Sequence, residues 1–311
     1  MNQMNNKQFE KMAFRVKLKR WLITILIVIV TVPVVLWIGY KFTQSLAGHQ
    51  TQLLNNKMET IQEIAAPNIQ ISDQALDDTS VWGGKVVSHQ YKEIDGYRIP
   101  WSTAVGQYNW SFNWIPNTSL IDTTQTAAYT RLTQQKIPLF YNNNVAKPNI
   151  KKAFELPAVA KMKGYVAEVA VTFKHPLTYQ QIQARLPHNL RASWYWIGVS
   201  GKADPTIEQN HFLGIQSGLP EGKLTKLDYQ YFQKSLKKVS DTTLDSYNNF
   251  SLSNYAHKYA KQHPTLKQAK FAGVILTGKS ESFKAMRNRS WITESSVGAT
   301  IKRVPYIKPT Y

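Results

Sequence analysis

The chain has 311 residues, no cysteine and a formal net charge of +19, and it is 43% hydrophobic and 12% aromatic. The lack of cysteine excludes disulfide bonds, thiol catalysis and cysteine-bound zinc, and the hydrophobic content favours a globular protein over a disordered one. The positive charge suits nucleic acid, anionic lipid or an anionic cell-wall polymer as a partner.

Residues 1–20 form a basic segment with a net charge of +5. Phe9, Met12 and Val16 recur in it at helical spacing, with basic residues between them, which predicts a short amphipathic helix. We interpret these three residues as the candidate contact for a cytoplasmic partner, because an apolar stripe can dock into a groove. The alternative is that the segment serves only as a topology signal.

A run without any charged residue follows over residues 21–40. A helix needs about 20 apolar residues to cross the ~30 Å hydrocarbon core of a bilayer. Trp21, Trp37 and Tyr40 lie at or near the ends of the run, where aromatic rings favour the membrane interface. The sequence therefore predicts one transmembrane helix over residues 21–42.

The two flanks of this helix differ in charge, with +5 over residues 1–20 and +1 over residues 41–60. Since the positive side stays in the cytoplasm, we expect a single-pass cell-membrane protein with a cytoplasmic N-terminus and an extracellular C-terminus. That topology argues against nucleic acid as a partner. A cleaved signal peptide, with Ser45-Leu46-Ala47 as its small-x-small site, is the alternative.

Helix and hairpin signals come next in the chain. Apolar residues at 54, 58, 61 and 65 follow a helical period that ends before Pro67. Asp95-Gly96 separates two β-rich runs and predicts a hairpin over 85–94 and 97–101. A group of aromatic residues then packs in a core or forms a platform for sugars; its members are Trp101, Tyr108, Trp110, Phe112 and Trp114.

An Asn-rich loop over 142–150 suggests a boundary between an extracytoplasmic N-terminal domain, 43–150, and a C-terminal domain, 151–311. The C-terminal domain contains a strand–helix–strand pattern twice, which predicts an α+β fold of the ferredoxin-like plait type. The predicted strands cover 165–173, 192–199, 271–277 and 297–303, and the predicted helices cover 179–186 and 281–287, with Thr178 and Ser280 as caps.

A basic helical insertion, about residues 221–263, separates the two copies of this pattern. Its lysines are candidate contacts for a polyanion such as an anionic cell-wall polymer, although a solvated basic face is the simpler interpretation. The candidate polyanion contacts are Lys234, Lys237, Lys238, Lys258 and Lys261.

Motifs of catalysis are missing from the sequence. The seven histidines do not follow the spacing of metal ligands, and the sequence contains neither a Gly-x-Ser-x-Gly elbow nor a Walker-type loop. We therefore predict no catalytic, metal-binding or cofactor-binding residue and expect that the protein is not an enzyme.

Several segments taken in order resemble the sigma factor regulator family of Gram-positive bacteria. After a charged tail and one membrane span come Ala66-Pro-Asn-Ile69, Pro138-Leu-Phe-Tyr-Asn142, Tyr165-Val-Ala-Glu-Val-Ala-Val-Thr-Phe173, Ser193-Trp-Tyr-Trp-Ile197, Gly273-Val-Ile-Leu-Thr-Gly278 and Ser296-Val-Gly298. The resemblance implies a membrane protein that holds an extracytoplasmic-function sigma factor inactive until envelope stress is sensed. Family members carry a longer cytoplasmic segment, so the sigma factor is expected to be held directly or through a partner membrane protein.

Three functional hypotheses follow. The leading one is a membrane-anchored regulator of a sigma factor that senses the envelope through its outer domain. The second is a non-signalling surface protein that binds cell wall or another polyanion, which a long basic stripe without a pocket would favour. The third is a surface enzyme acting on wall polymers, which would need a cleft with paired carboxylates.

Overall fold

The computed structural model describes residues 2–116, 121–207, 212–218, 222–244 and 246–310. One long helix leads into two five-stranded antiparallel sheets and a group of short helices. The helices are α1 Asn2–Ile64, α2 Leu156–Val159, α3 Tyr179–Gln183, α4 Lys226–Lys238 and α5 Leu252–Gln262, with a 3₁₀ helix at Ser280–Ala285.

The α1 helix contains 63 residues and is about 95 Å long at the usual helical rise. Its apolar segment, residues 21–40, is charge-free, and its side chains do not pack against the rest of the protein. The helix is therefore long and apolar enough to cross a membrane once. The helix predicted to end before Pro67 is present, and it is continuous with the apolar segment.

The helix extension, residues 43–64 of α1, packs against both sheets. Ala47, Leu54 and Met58 are buried in a small cluster with residues of the first sheet, and Ile64 joins the main core. Gly106 permits the close approach, because a Cβ atom at that position would lie 2.6 Å from Leu54 Cδ1. The extension is thus fixed in the folded part of the chain.

The first sheet runs in the order β1-β2-β4-β5, and β3 also pairs with β2. Asp95 and Gly96 have φ angles of 53° and 89°, which are the left-handed values of a type I′ turn. The predicted hairpin is confirmed. The strands are β1 Gln70–Asp77, β2 Gly83–Ile94, β3 Tyr97–Pro100, β4 Ala104–Asn109 and β5 Asn113–Trp114, and a small hairpin is formed by β6 Ile121–Thr123 and β7 Ala128–Thr130.

The second sheet contains all four strands predicted for the C-terminal half, together with one short extra strand. Its order is β10-β9-β11-β8-β12, and every neighbouring pair is antiparallel. The strands are β8 Tyr165–Thr178, β9 Arg191–Trp196, β10 Gly214–Gln216, β11 Lys270–Lys279 and β12 Ile292–Lys302.

Both faces of the second sheet are buried. Alternate side chains of β8, such as Val169 and Val171, point into the main core under the helices. Ala170 points the other way, into a second cluster that holds Trp194 and Trp196. Because β8 is covered on both sides, its sequence is almost continuously apolar, as is typical of a central strand.

The two predicted crossover helices are shorter than the sequence pattern indicates. Thr178 caps α3 through a capping box with Gln181, as predicted. The α-helix predicted over 281–287 is wrong, since this segment is a 3₁₀ helix that begins at Ser280. Ser280 does not cap it, because its hydroxyl donates instead to the carbonyl of Met162 at 3.0 Å.

Buried tyrosines are expected to make the folded state less stable at alkaline pH. Burial raises the pKa of Tyr229 to about 12 from its ordinary value of 10.0. Between these values an unfolded chain loses the phenolic proton while the native chain keeps it, so the stability is complete below pH 10 and falls as the pH rises toward 12. We expect Tyr229→Phe to reduce the slope of the unfolding free energy against pH in this range, by up to about 1.4 kcal/mol per pH unit.

Urea unfolding of the detergent-solubilised chain at a series of pH values measures this effect. Tyr231→Phe, which changes the exposed face of the same helix, is the matched control. Parallel pH curves for Tyr229→Phe and the native chain would contradict the prediction.

Candidate functional site

A buried polar cluster joins the end of α1 to both sheets. Glu168 is the one charged residue in the buried part of β8, and Lys92 Nζ from β2 contacts its two oxygens at 2.8 and 2.9 Å. Asn68, just after α1, donates its side-chain amide to Glu168 Oε1 at 2.9 Å. All three residues have at most 1% of their surface exposed. We call Asn68, Lys92, Trp101 and Glu168 the junction cluster.

Trp101 completes the cluster, with Lys92 Nζ lying 4.1 Å from the ring centroid. Burial lowers the pKa of Lys92, while the Glu168 carboxylate opposes that shift. The ring and the carboxylate together surround the ammonium group with negative potential. A buried pair of this kind is strongly destabilised when one partner is lost, because a charge then remains without compensation.

Strand β12 closes the cluster from the other side. A Cβ atom at Gly298 would lie 2.5 Å from Glu168 Oε2 and 2.8 Å from Pro138 Cδ. Only glycine therefore lets the strand approach the carboxylate this closely. A second, partly buried contact between the sheets runs from Arg191 to Glu93 at 3.3 Å. The turn after α1, the first sheet and the second sheet are thus connected by charged contacts.

A cavity of about 370 Å³ lies between the helix extension and the first sheet, a volume typical of small-molecule sites. It shares Trp101 with the junction cluster. Its helix side is formed by Lys57, Met58, Ile61, Gln62, Ala65 and Ala66, and its sheet side includes Ser88, Gln90, Ser102, Ala104, Trp114 and Ile115.

The cavity has an apolar wall with a few polar groups, a composition that suits a largely apolar ligand. The hydroxyl of Ser102 is buried without a hydrogen-bond partner among the described residues. None of the described residues that line the cavity has an acidic side chain. In the described ranges no group of three His, Asp or Glu side chains is placed to hold a metal.

The residues predicted from the sequence as contacts lie elsewhere. Phe9, Met12 and Val16 are exposed on α1, before the apolar segment. The five lysines of the insertion are exposed on α4 and α5, and none of them forms an ion pair among the residues that the structure describes. Nothing in the structure brings these two groups together, and both assignments stay predictions.

The sequence reasoning missed the junction cluster and the cavity. A lone Glu inside an otherwise apolar strand was a usable signal, because a charge is rarely buried without a partner. Of the five aromatic residues noted between 101 and 114, Trp101 and Tyr108 are buried, whereas Trp110, Phe112 and Trp114 are exposed. Trp101 and Trp114 line the cavity.

Comparison with known families identifies the class of the protein. The chain matches the family described as "Sigma factor regulator N-terminal" over residues 10–99 and the family described as "Sigma factor regulator C-terminal" over residues 159–299. The two matches cover most of the chain, which therefore belongs to the sigma factor regulator family. No curated protein and no solved structure matches it. The family is regulatory rather than enzymatic and implies interaction with a sigma factor.

Three of the segments on which the family resemblance rests meet at the junction cluster. Asn68, Glu168 and Gly298 each come from a different one of these segments. Phe140, from another of them, stacks on Trp196 with ring centroids 4.8 Å apart. Three segments of the family pattern therefore lie where the end of α1 contacts both sheets.

Proposed function

We propose that this sigma factor regulator controls an extracytoplasmic-function sigma factor and senses the state of the cell envelope through the residues beyond its apolar segment. The single observation that carries the proposal is the continuity of α1. One helix includes the exposed apolar residues near the N-terminus, the apolar segment and the wall of the cavity.

The proposed mechanism is a shift between two arrangements of the folded region. A ligand in the cavity contacts α1 directly at Met58 and Ile61. It can favour one position of the helix only if it binds that arrangement more tightly than the other. The junction cluster holds the end of the helix to both sheets, so we infer that a change of sheet packing moves α1 as well. The tail then releases or retains its partner.

The strand order of the second sheet supports our proposal that the C-terminal region is a ferredoxin-like plait with a helical insertion. The four strands β9, β11, β8 and β12 are neighbours in that order and all antiparallel. We also propose the domain limits given above, with a cytoplasmic tail over 1–20 and outer domains over 43–150 and 151–311. The N-terminus is proposed to lie in the cytoplasm, on the evidence of the charged flanks.

Gene deletion tests the regulator proposal. Transcription from the promoters of one envelope-stress sigma factor should rise in the deletion strain, because the inhibitor is lost. Replacing Phe9, Met12 and Val16 with serine should mimic the deletion if the tail holds the sigma factor. The three substitutions remove apolar contact area and leave the tail charge at +5.

Leucine at the same three positions is the matched control, because it keeps the stripe apolar and should preserve repression. If the serine variant repressed normally while the deletion strain was derepressed, the sigma factor would be held through a partner membrane protein. Unchanged promoters in the deletion strain would contradict the regulator proposal.

A second candidate function, polyanion binding, is favoured by the exposed insertion lysines. Replacing Lys234, Lys237, Lys238, Lys258 and Lys261 with Gln should weaken retention of the solubilised chain on purified cell walls. The difference should shrink with salt, since exposed charges are screened over about 8–10 Å at ordinary ionic strength. Gln at other exposed lysines, such as Lys17 and Lys19, gives a control of similar chemistry. If the native chain and the five-lysine variant were retained equally, these lysines would form only a solvated surface without a polyanion contact.

A further inference from the structure

An exposed aromatic group lies at one end of the first sheet. Trp82, Trp110 and Phe112 have 64%, 46% and 54% of their surfaces exposed. The backbone amide of Trp110 donates to the carbonyl of Trp82 at 3.0 Å, and Phe112 lies 5.1 Å from the ring of Trp114. We call these four residues the aromatic tip. Exposed aromatic side chains grouped in this way mark an interaction surface.

The register of β4 against α1 shows which end of the sheet carries the tip. Gly106 lies beside Leu54, and farther along the strand the carbonyl of Ser111 accepts from Gln50 Nε2 at 3.1 Å. As the residue numbers rise along β4, the numbers of the α1 residues beside it fall. The turn between β4 and β5 therefore points back along the helix toward the apolar segment. Gly83 pairs with Asn109, which brings Trp82 to the same end.

The distance to the membrane follows from the helical rise. Gln50 is ten residues past Tyr40, a separation of about 15 Å along the axis. Long helical side chains lean toward the N-terminus, so the turn held by Gln50 lies nearer still. The headgroup layer extends about 5–7 Å beyond the hydrocarbon core, and indole rings favour this layer.

We propose that the aromatic tip inserts into the headgroup layer of the bilayer that α1 crosses. The interaction is aromatic rather than ionic, because Lys85 at this end of the sheet is already paired with Asp78. The tip therefore requires no anionic lipid. Together with α1 it gives the folded region a second attachment point, which fixes its orientation on the membrane. The inference depends on the membrane span and the fold, and it is independent of the sigma factor.

The lack of cysteine permits a direct test on the full chain. Ser111→Cys carries a nitroxide spin label at the tip, in protein reconstituted into phosphatidylcholine vesicles. Lys237→Cys is the control, because the neighbouring Ser235 contacts Glu63 near the end of α1, about 20 Å farther from the bilayer than Gln50. We expect the ratio of collisions with oxygen to collisions with a water-soluble nickel chelate to be severalfold higher at position 111.

A second comparison separates insertion from simple tethering. Replacing Trp82, Trp110 and Phe112 with serine should lower the oxygen-to-nickel collision ratio at position 111 to the ratio at position 237. Salt should not change this ratio. Equal ratios at the two positions in the native background would overturn the proposal. So would an unchanged ratio after the three serine substitutions, or a disulfide between two copies at position 111, which would identify a second chain as the occupant.

Discussion

Glu168→Gln should destabilise the folded region by about 3–5 kcal/mol, because Lys92 then remains buried and charged without its counterion. The carboxylate receives two contacts from Lys92 and one from Asn68, and all three residues have at most 1% of their surface exposed. Urea or thermal unfolding of the solubilised full chain measures the loss. Lys85→Gln, which breaks an exposed pair with Asp78, is the matched control and should change little.

A double variant tests whether the cost arises from the unpaired charge. Lys92→Met combined with Glu168→Leu removes both charges and fills a similar volume, and replacements of this kind are often nearly neutral. We expect the double variant to be more stable than Glu168→Gln alone. If the double variant lost more stability than the single one, the cluster would be held by packing around Trp101 rather than by the ion pair. A single-variant loss no larger than that of Lys85→Gln would contradict the prediction.

Ala104→Leu should abolish most of the stress-induced rise in sigma-dependent transcription while leaving the protein abundant. Ala104 lines the cavity on β4, and a leucine there occupies space that a ligand would need. If ligand binding shifts the arrangement of α1, a filled cavity holds the protein in one arrangement whatever the stimulus. Promoter activity with and without a cell-wall inhibitor, beside the amount of protein in membranes, measures the effect.

Val105→Leu provides the control for this variant, because side chains alternate along a strand and residue 105 does not line the cavity. Its induction should match that of the native chain. If Ala104→Leu retained normal induction with raised stability, the cavity would be a packing defect, and the sensing surface would have to lie elsewhere.

The elements that depend on neighbours in the sequence were predictable. The charge-free run over residues 21–40 defines its helix by length and composition alone. Asp95-Gly96 defines its turn because a type I′ geometry requires positive φ at both positions. The four strands of the second sheet were also recognised, since their β-rich runs are bounded by turn residues.

The elements that depend on distant contacts were not predictable. The segment after Lys279 has a helical pattern, yet it forms a 3₁₀ helix, and the hydroxyl of Ser280 donates to the carbonyls of Met162 and Tyr165 instead of capping it. Those acceptors lie more than a hundred positions away in the chain, beyond the reach of any local pattern.

The sequence by itself determined the membrane helix, the Asp95-Gly96 hairpin, the four main strands of the second sheet and the family, because each of these follows from local composition or from the order of short segments. Only the tertiary structure decided that Glu168 meets Lys92, 76 positions away, and Asn68, 100 positions away. It also decided that α1 continues unbroken into the core and borders a cavity. The physical reason is that a buried charge needs a partner, while the chain topology selects which one.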